Sequence, residues 1–193
     1  MTEEEIFAEF RGAQALLEGH FILSSGLHSA IYLQCARVLT NPLVASRLAS
    51  ALAAKLSREL RSKVDVVVSP AMGGIIAGHE MARALGVHAL FVERPTGTFE
   101  FRRGFALAKN QKVFLMEDVV TTGQSSREAI AAIKAAGGKV IGAGAIIDRS
   151  AAPIDLGVPF HALLKLDVPT YAADALPADL AAIPAVKPGS RVK

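Results

Sequence analysis

The sequence predicts an α/β fold, a central parallel sheet with helices on both faces, preceded by a small N-terminal layer. Two observations predict it. From Val64 onward, strand-like runs alternate with helical patterns, and the runs are apolar on both sides, as strands covered on both faces require. Before Val64 the rhythm differs, with a helix, two strand-like runs about a Ser-Gly turn, and a longer helix. A chain of 193 residues, 51% hydrophobic and 20% charged, suits one well-cored domain rather than a disordered tail or a fibre.

The elements follow in order. "EEEIFAEFRGAQALLEG" places Ile6, Phe7, Phe10, Ala13 and Leu17 at helical spacing, with acids in the first turn and Gly19 at the expected stop. "HFILSSGLHSAIYLQ" reads as strand, turn, strand, and Asn41 with Pro42 signals a helix reaching about Leu60. The alternating part then runs "VDVVVS" strand, Gly-rich turn, "IIAGHEMARAL" helix, "VHALFVE" strand, long loop, "KVFLME" strand, "SSREAIAAIKAAG" helix and "KVIGAGAII" strand. The expected organisation is 1–40 for the N-terminal helix and strand pair, 41–170 for the α/β core, and 171–193 for a C-terminal segment whose "KPGSRVK" end frays.

Composition narrows the functional classes. The single Cys35 cannot form an internal disulfide, and neither a leader nor an apolar run of membrane length is present, which points to a reducing, soluble, cytoplasmic setting. A net charge of +3 with scattered Lys and Arg calls for no nucleic acid and no membrane; a local anionic ligand suffices. His20, His28, His79, His88 and His161 lack metal-ligand spacing, and only His28 lies where a ligand would be expected. Cys35 reads as a small buried hydrophobe.

In an open parallel sheet, ligands gather where strand ends enter helices. Three loops fall there: "SPAMGG" at 69–74, "EDVVTTGQSS" at 117–126 and "DRS" at 148–150. In the first, Gly73 and Gly74 either serve a structural turn or let backbone amides approach an anion. Two familiar phosphate motifs fail. "AAGGKV" has Val after its Lys and precedes a strand, so it is no P-loop, and "GAGAII" lacks a third glycine and lies within a strand. The second loop remains, with consecutive amides and the Thr121, Thr122, Ser125 and Ser126 hydroxyls able to nest one phosphate at a helix start. Glu117 and Asp118 beside it repel phosphate, so their partners are neutral hydroxyls or a metal. Phosphate on one side and a diol on the other describes a ribose 5-phosphate.

Hydrophobic strand, Glu-Asp, two apolar residues and Thr-Thr-Gly with a hydroxyl residue resembles the PRPP signature of the type I phosphoribosyltransferases, carried here by "EDVVTTG". "HFILSSGLHSAIYLQ", "SPAMGG", "FVER", "RRGF" and "IIDRS" extend the resemblance, over roughly residues 15–150, to the branch of that family that acts on orotate. The resemblance implies the type I phosphoribosyltransferase fold with an N-terminal hood, transfer of phosphoribose from PRPP to orotate with Mg2+, and a homodimer. It implies that Glu117 and Asp118 hold the ribose hydroxyls, that Val119, Val120, Thr121, Thr122, Gly123, Gln124 and Ser125 cradle the 5'-phosphate, and that Met72, Gly73 and Gly74 form the pyrophosphate loop. Orotate would meet Thr121, Arg149 and the hood around Ser24, Ser25 and Tyr32, the Arg149 fork suiting a carboxylate.

The sequence departs from the family at the loop 94–110, "RPTGTFEFRRGFALAKN", which has no His and no Lys before Lys109, where many members carry a catalytic lysine. Either Arg94, Arg102 and Arg103 take the electrostatic role, or leaving-group stabilisation rests more on Mg2+; a merely solvated loop is the plain alternative. The length of the loop makes it a lid candidate that would serve the neighbouring subunit, with Phe99, Phe101 and Phe105 to dock it. Two other functions share the ribophosphate loop. A phosphoribosyltransferase for another base would lack the hood and Arg149, and a non-catalytic PRPP-sensing regulator would need a nucleic-acid surface that the sequence does not display.

Overall fold

The computed structural model describes residues 1–23 and 26–188. Helix α1 (Glu3–Gly12) is started by a capping box in which Thr2 Oγ1 accepts from the Glu5 amide and the Glu5 carboxylate accepts from the Thr2 amide. It stops at Gly12, short of the expected Gly19, because Leu16–Ile22 is claimed by strand β1, antiparallel to β2 (His28–Leu33). Gly19 sits where the β1–β2 register shifts, so it marks a strand irregularity instead of a helix end. After the short α2 (Cys35–Val38), Asn41 caps α3 (Pro42–Lys55) by accepting from the Leu43 and Val44 amides. The single helix expected to Leu60 is broken. Leu56 turns extended and buries, and Ser57 caps a separate α4 (Arg58–Lys63).

The alternating half forms β3 (Val66–Pro70), α5 (Gly74–Leu85), β4 (His88–Glu93), β5 (Glu100–Phe101), β6 (Lys112–Val120), α6 (Gln124–Ala135) and β7 (Lys139–Asp148). Two unanticipated strands follow, β8 (Phe160–Lys165) and β9 (Thr170–Tyr171), then α7 (Ala178–Ala181). The main sheet has the order β5-β4-β3-β6-β7-β8, parallel except for the antiparallel edge strand β5. The second sheet, β1-β2-β9, is completed by the chain returning from the core. None of the described helices is long and apolar enough to cross a membrane.

Helices cover both faces of the main sheet. On one side Leu48 of α3 and Met81 of α5 meet Phe114, in a cluster that also takes Ile6 and Phe10 of α1. On the other, Ile130 and Ile133 of α6 meet Val68 and Leu115. The "GAGA" run is explained by packing. A Cβ on Gly144 would stand 2.9 Å from the ring of Phe114, which is fully buried, so this strand stays bare to admit the ring. Losing such a ring costs about 3–5 kcal/mol. The chain runs from β3 to β4 in one direction and from β6 through β7 to β8 in the other, so the strand order reverses between β3 and β6. The crevice beyond their carboxyl ends is the favoured ligand position.

Candidate active site

The loop after β6 is built by the strand it leaves and the helix it enters. β6 runs past the expected end at Glu117 to Val120, and α6 begins four residues later. Gly123 makes the turn at φ 73°, and a Cβ there would lie 2.9 Å from Ile154 and 3.1 Å from Arg127, so both backbone and space demand glycine. Arg127 braces the loop by donating to the Thr122 carbonyl at 2.8 Å. Gly123 itself offers no side-chain cap to α6, the Gln124 amide donates to Thr122 Oγ1 at 3.3 Å, and the residues of this helix start line a cavity of about 290 Å³. Val119, Val120, Thr121, Thr122, Gly123, Gln124 and Ser125 line that cavity with Arg94, Glu117 and Glu128. Ser126 lines it too, but its hydroxyl is buried and donates to Glu117 Oε1 at 3.2 Å, so it is spent on the acid instead of the phosphate nest.

Because both acids lie within the strand, they diverge. Glu117 lines the phosphate cavity, whereas Asp118 lies against the "SPAMGG" loop, close enough that a Cβ on Gly73 would stand 2.7 Å from its Oδ2. Gly74 is packed against the Met116 carbonyl and Ser69. Burial, aided by the charge of Asp118, pushes the Glu117 carboxyl up to about 8, against the Ser126 hydrogen bond and the Arg94 charge. Burial also raises Asp118, opposed by backbone amides. Glu117 therefore keeps its proton near neutral pH. The phosphate cavity is relieved of one negative charge, and the neutral carboxyl can both donate to and accept from a hydroxyl.

A second cavity, of about 720 Å³, opens beside the first and shares Thr121 and Thr122 with it. Arg149 and Tyr32 line it. Arg149 follows β7, and its amide donates to the Val120 carbonyl at 2.8 Å, tying this loop to the phosphate loop. Lys165, at the end of β8, clasps the turn by donating to Asp148 Oδ2 at 3.1 Å, to Ser150 Oγ at 2.7 Å and to the Ser150 carbonyl. Arg149 Nε is buried without a hydrogen-bond partner among the described residues, and burial lowers the guanidinium from its ordinary value. An anion in the cavity would supply what that nitrogen lacks. Ser24 and Ser25 lie outside the described residues.

The loop 94–110 folds back as a flap. Its β5 pairs with β4, Phe99 and Phe101 pack on the sheet cluster, and Phe105 meets Phe91 edge-on at 5.1 Å. Arg94 stacks on Phe99 at 4.3 Å and pairs with Glu128, which brings it into the phosphate cavity. Arg103, left-handed at φ 57°, grips Glu93 with two bonds of 3.0 and 2.8 Å, and Arg102 lies 3.7 Å from Glu100. Neither Arg102 nor Arg103 lines the phosphate cavity in this conformation. Sequence reasoning missed Glu93, Arg127, Glu128 and Lys165. The spacing of Gln124 and Glu128, bonded at 3.0 Å one helical turn apart, was the one local signal available.

A largely parallel sheet whose switch point carries a hydroxyl-rich loop at a helix start, beside a cavity lined by an arginine, defines a class, and residues 36–156 match the model of the phosphoribosyl transferase domain. The chain is 68% identical over 193 residues to the orotate phosphoribosyltransferase of Novosphingobium aromaticivorans, covering 100% of both. It is 67% identical over 191 residues to that of Rhizorhabdus wittichii, covering 99% of this chain and 97% of the relative. The crystal structure of orotate phosphoribosyltransferase from Aeropyrum pernix superimposes with a TM-score of 0.68 at 25% identity, covering 81% of this chain and 91% of that one. The chain belongs to the orotate phosphoribosyltransferase family.

Proposed function

We propose that the chain transfers the 5-phosphoribosyl group of PRPP to a ring nitrogen of orotate, giving orotidine 5'-monophosphate and pyrophosphate in pyrimidine biosynthesis. The observation that carries this reading is the pair of cavities joined at Thr121 and Thr122, one at the start of helix α6 and the other lined by a half-buried arginine whose Nε is buried without a hydrogen-bond partner among the described residues. The first suits the 5'-phosphate, and the second suits the carboxylate of orotate, with the Arg149 fork matching its two oxygens. The anomeric carbon then falls between them. Glu117 and Asp118, on the two sides of the β6 end, would hold the ribose hydroxyls, while Gly73 and Gly74 give the pyrophosphate access to backbone amides.

Displacement at the anomeric carbon develops oxocarbenium character. Asp118 places negative charge near that centre, and the loops align the reactants and exclude water. No covalent nucleophile is required, because the ring nitrogen of orotate itself forms the new C–N bond as the anomeric C–O bond to pyrophosphate breaks, its N–H proton passing to solvent or to the departing pyrophosphate. Family members use Mg2+ with PRPP, and the residues here fit that ion. Such an ion is held largely by substrate oxygens with one or two carboxylates, and the end of β6 supplies an acid for it beside the cavity. Asp118 would be the carboxylate that meets the ion, Glu117 keeping its proton, and the ion would neutralise the departing pyrophosphate. Arg94 is the loop cation already at the phosphate cavity, and Arg102 and Arg103 would join it on closure of the flap.

We read residues 1–40 as the hood-bearing part, 41–170 as the transferase core and 171–193 as a C-terminal segment, in a cytoplasmic homodimer that shares the flap across its interface. The test is orotate absorbance with PRPP and Mg2+, run beside uracil, adenine and hypoxanthine. Loss of orotate absorbance, with no phosphoribosylation of the other bases, is the expected result; transfer to another base instead would overturn the substrate assignment.

A further inference from the structure

The cavity that holds Arg149 is lined in part by a C-terminal segment, through Lys187 and Pro188, together with residues of the core. That segment is held in place by defined bonds. The Val186 amide donates to the His20 carbonyl at 2.8 Å and the Ile22 amide donates to the Val186 carbonyl at 2.9 Å, giving a parallel bridge to β1. The buried His20 ring adds a side-chain clasp, with Nδ1 2.8 Å from the Ile183 carbonyl and Nε2 2.6 Å from His28 Nδ1. A carbonyl only accepts, so His20 Nδ1 carries the proton, and in the neutral rings Nε2 accepts from His28 Nδ1–H. Residues 183–186 are thereby pinned to the hood strand. Lys187 follows Val186 directly.

Among the described residues, the charged ones lining the cavity are Arg149, Lys187 and Asp167. A substrate that is a carboxylate and whose ring loses a proton during transfer presents two negative regions, and one guanidinium fork can serve only one of them. We propose that Lys187 is a substrate-binding residue, whose ammonium donates to a ring carbonyl oxygen of the pyrimidine while Arg149 takes the carboxylate. The inference rests on the orotate reading above. It makes the C-terminal segment part of the base site, placed there by His20. A flexible stem carrying a compact charge suits a ring oxygen at the cavity mouth, where the substrate must enter before the site closes.

Lys187→Met and Lys187→Arg, compared with the wild type for orotate KM, PRPP KM, kcat and melting temperature, test it. The expected result for Lys187→Met is an orotate KM raised about tenfold, the loss of one charge-assisted hydrogen bond, with the PRPP KM and the melting temperature unchanged. Lys187→Arg should recover most of the orotate affinity. His20→Ala, which removes the side-chain clasp and loosens the segment, should raise the orotate KM in the wild-type background and add little in Lys187→Met. An orotate KM in Lys187→Met equal to that of the wild type overturns the inference alone. So does a loss that Lys187→Arg leaves uncorrected, since that is the mark of a structural tail. A wild-type protein that consumes no orotate defeats the function itself.

Discussion

Replacing Glu117 by Gln removes one buried titratable proton and little else, since the amide oxygen can still accept from Ser126. Glu117 is 6% exposed, and its folded pKa of about 8 stands above the ordinary 4.5. The folded state therefore holds a proton that the unfolded chain gives up between those two values. With more protons bound in the folded state, unfolding free energy falls as pH rises through this window, by about 1.4 kcal/mol per pH unit, and levels off above the folded value. From pH 5 to 8 the loss from this one group is about 4 kcal/mol. Glu117→Gln escapes it, so its stability advantage over the wild type should grow across the same window and then hold constant. Urea unfolding of both proteins at pH 5, 6, 7, 8 and 9 measures the difference. Parallel stability curves would falsify a proton held by burial at Glu117, and an advantage growing toward low pH would reverse its sign.

Three further outcomes are expected. Gly73 has helical backbone angles that alanine tolerates, but the added Cβ would meet Asp118 at 2.7 Å, so Gly73→Ala should raise the PRPP KM about tenfold or more while the melting temperature barely moves. Steady-state kinetics beside thermal melts decide it, and a normal PRPP KM would remove the "SPAMGG" loop from the ribophosphate site. Arg149→Ala should raise the orotate KM about a hundredfold, as loss of a charged bidentate contact does, and leave the PRPP KM nearly unchanged; equal rises in both would move Arg149 out of the base cavity. Asp118→Asn and Arg103→Ala homodimers, each inactive alone, should on mixing recover about a quarter of wild-type sites if the flap serves the neighbouring subunit. Full activity of Arg103→Ala disproves the arginine role, and proven subunit exchange without recovery assigns the flap to its own chain.

Much of this site was readable along the chain. "EDVVTTGQSS" carries its chemistry within ten consecutive residues, so local spacing was enough to nominate Glu117 and Thr121 to Ser125, and the cavity at the start of α6 gathers them. Even the divergence of Glu117 and Asp118 follows from strand alternation once β6 is carried on to Val120. The bond from Ser126 to Glu117, nine positions back, was not legible, because it forms only when helix and strand are packed together.

By itself the sequence determined the alternation of buried strands and helices, the glycine turn at 123 and the arginine at 149, since each is imposed by neighbours in the chain through solvent exclusion, backbone freedom or charge. The tertiary structure decided the order of the strands, and with it the switch point between β3 and β6. It decided that Lys165 clasps the Arg149 turn, that Glu93 engages Arg103, and that the segment ending at Lys187 returns to β1. Two-residue strands such as β5 and β9 exist only because an edge was left unpaired beside them. Such pairings depend on which backbone groups remain free after the rest has folded, and residues distant in the chain carry no local pattern that records it.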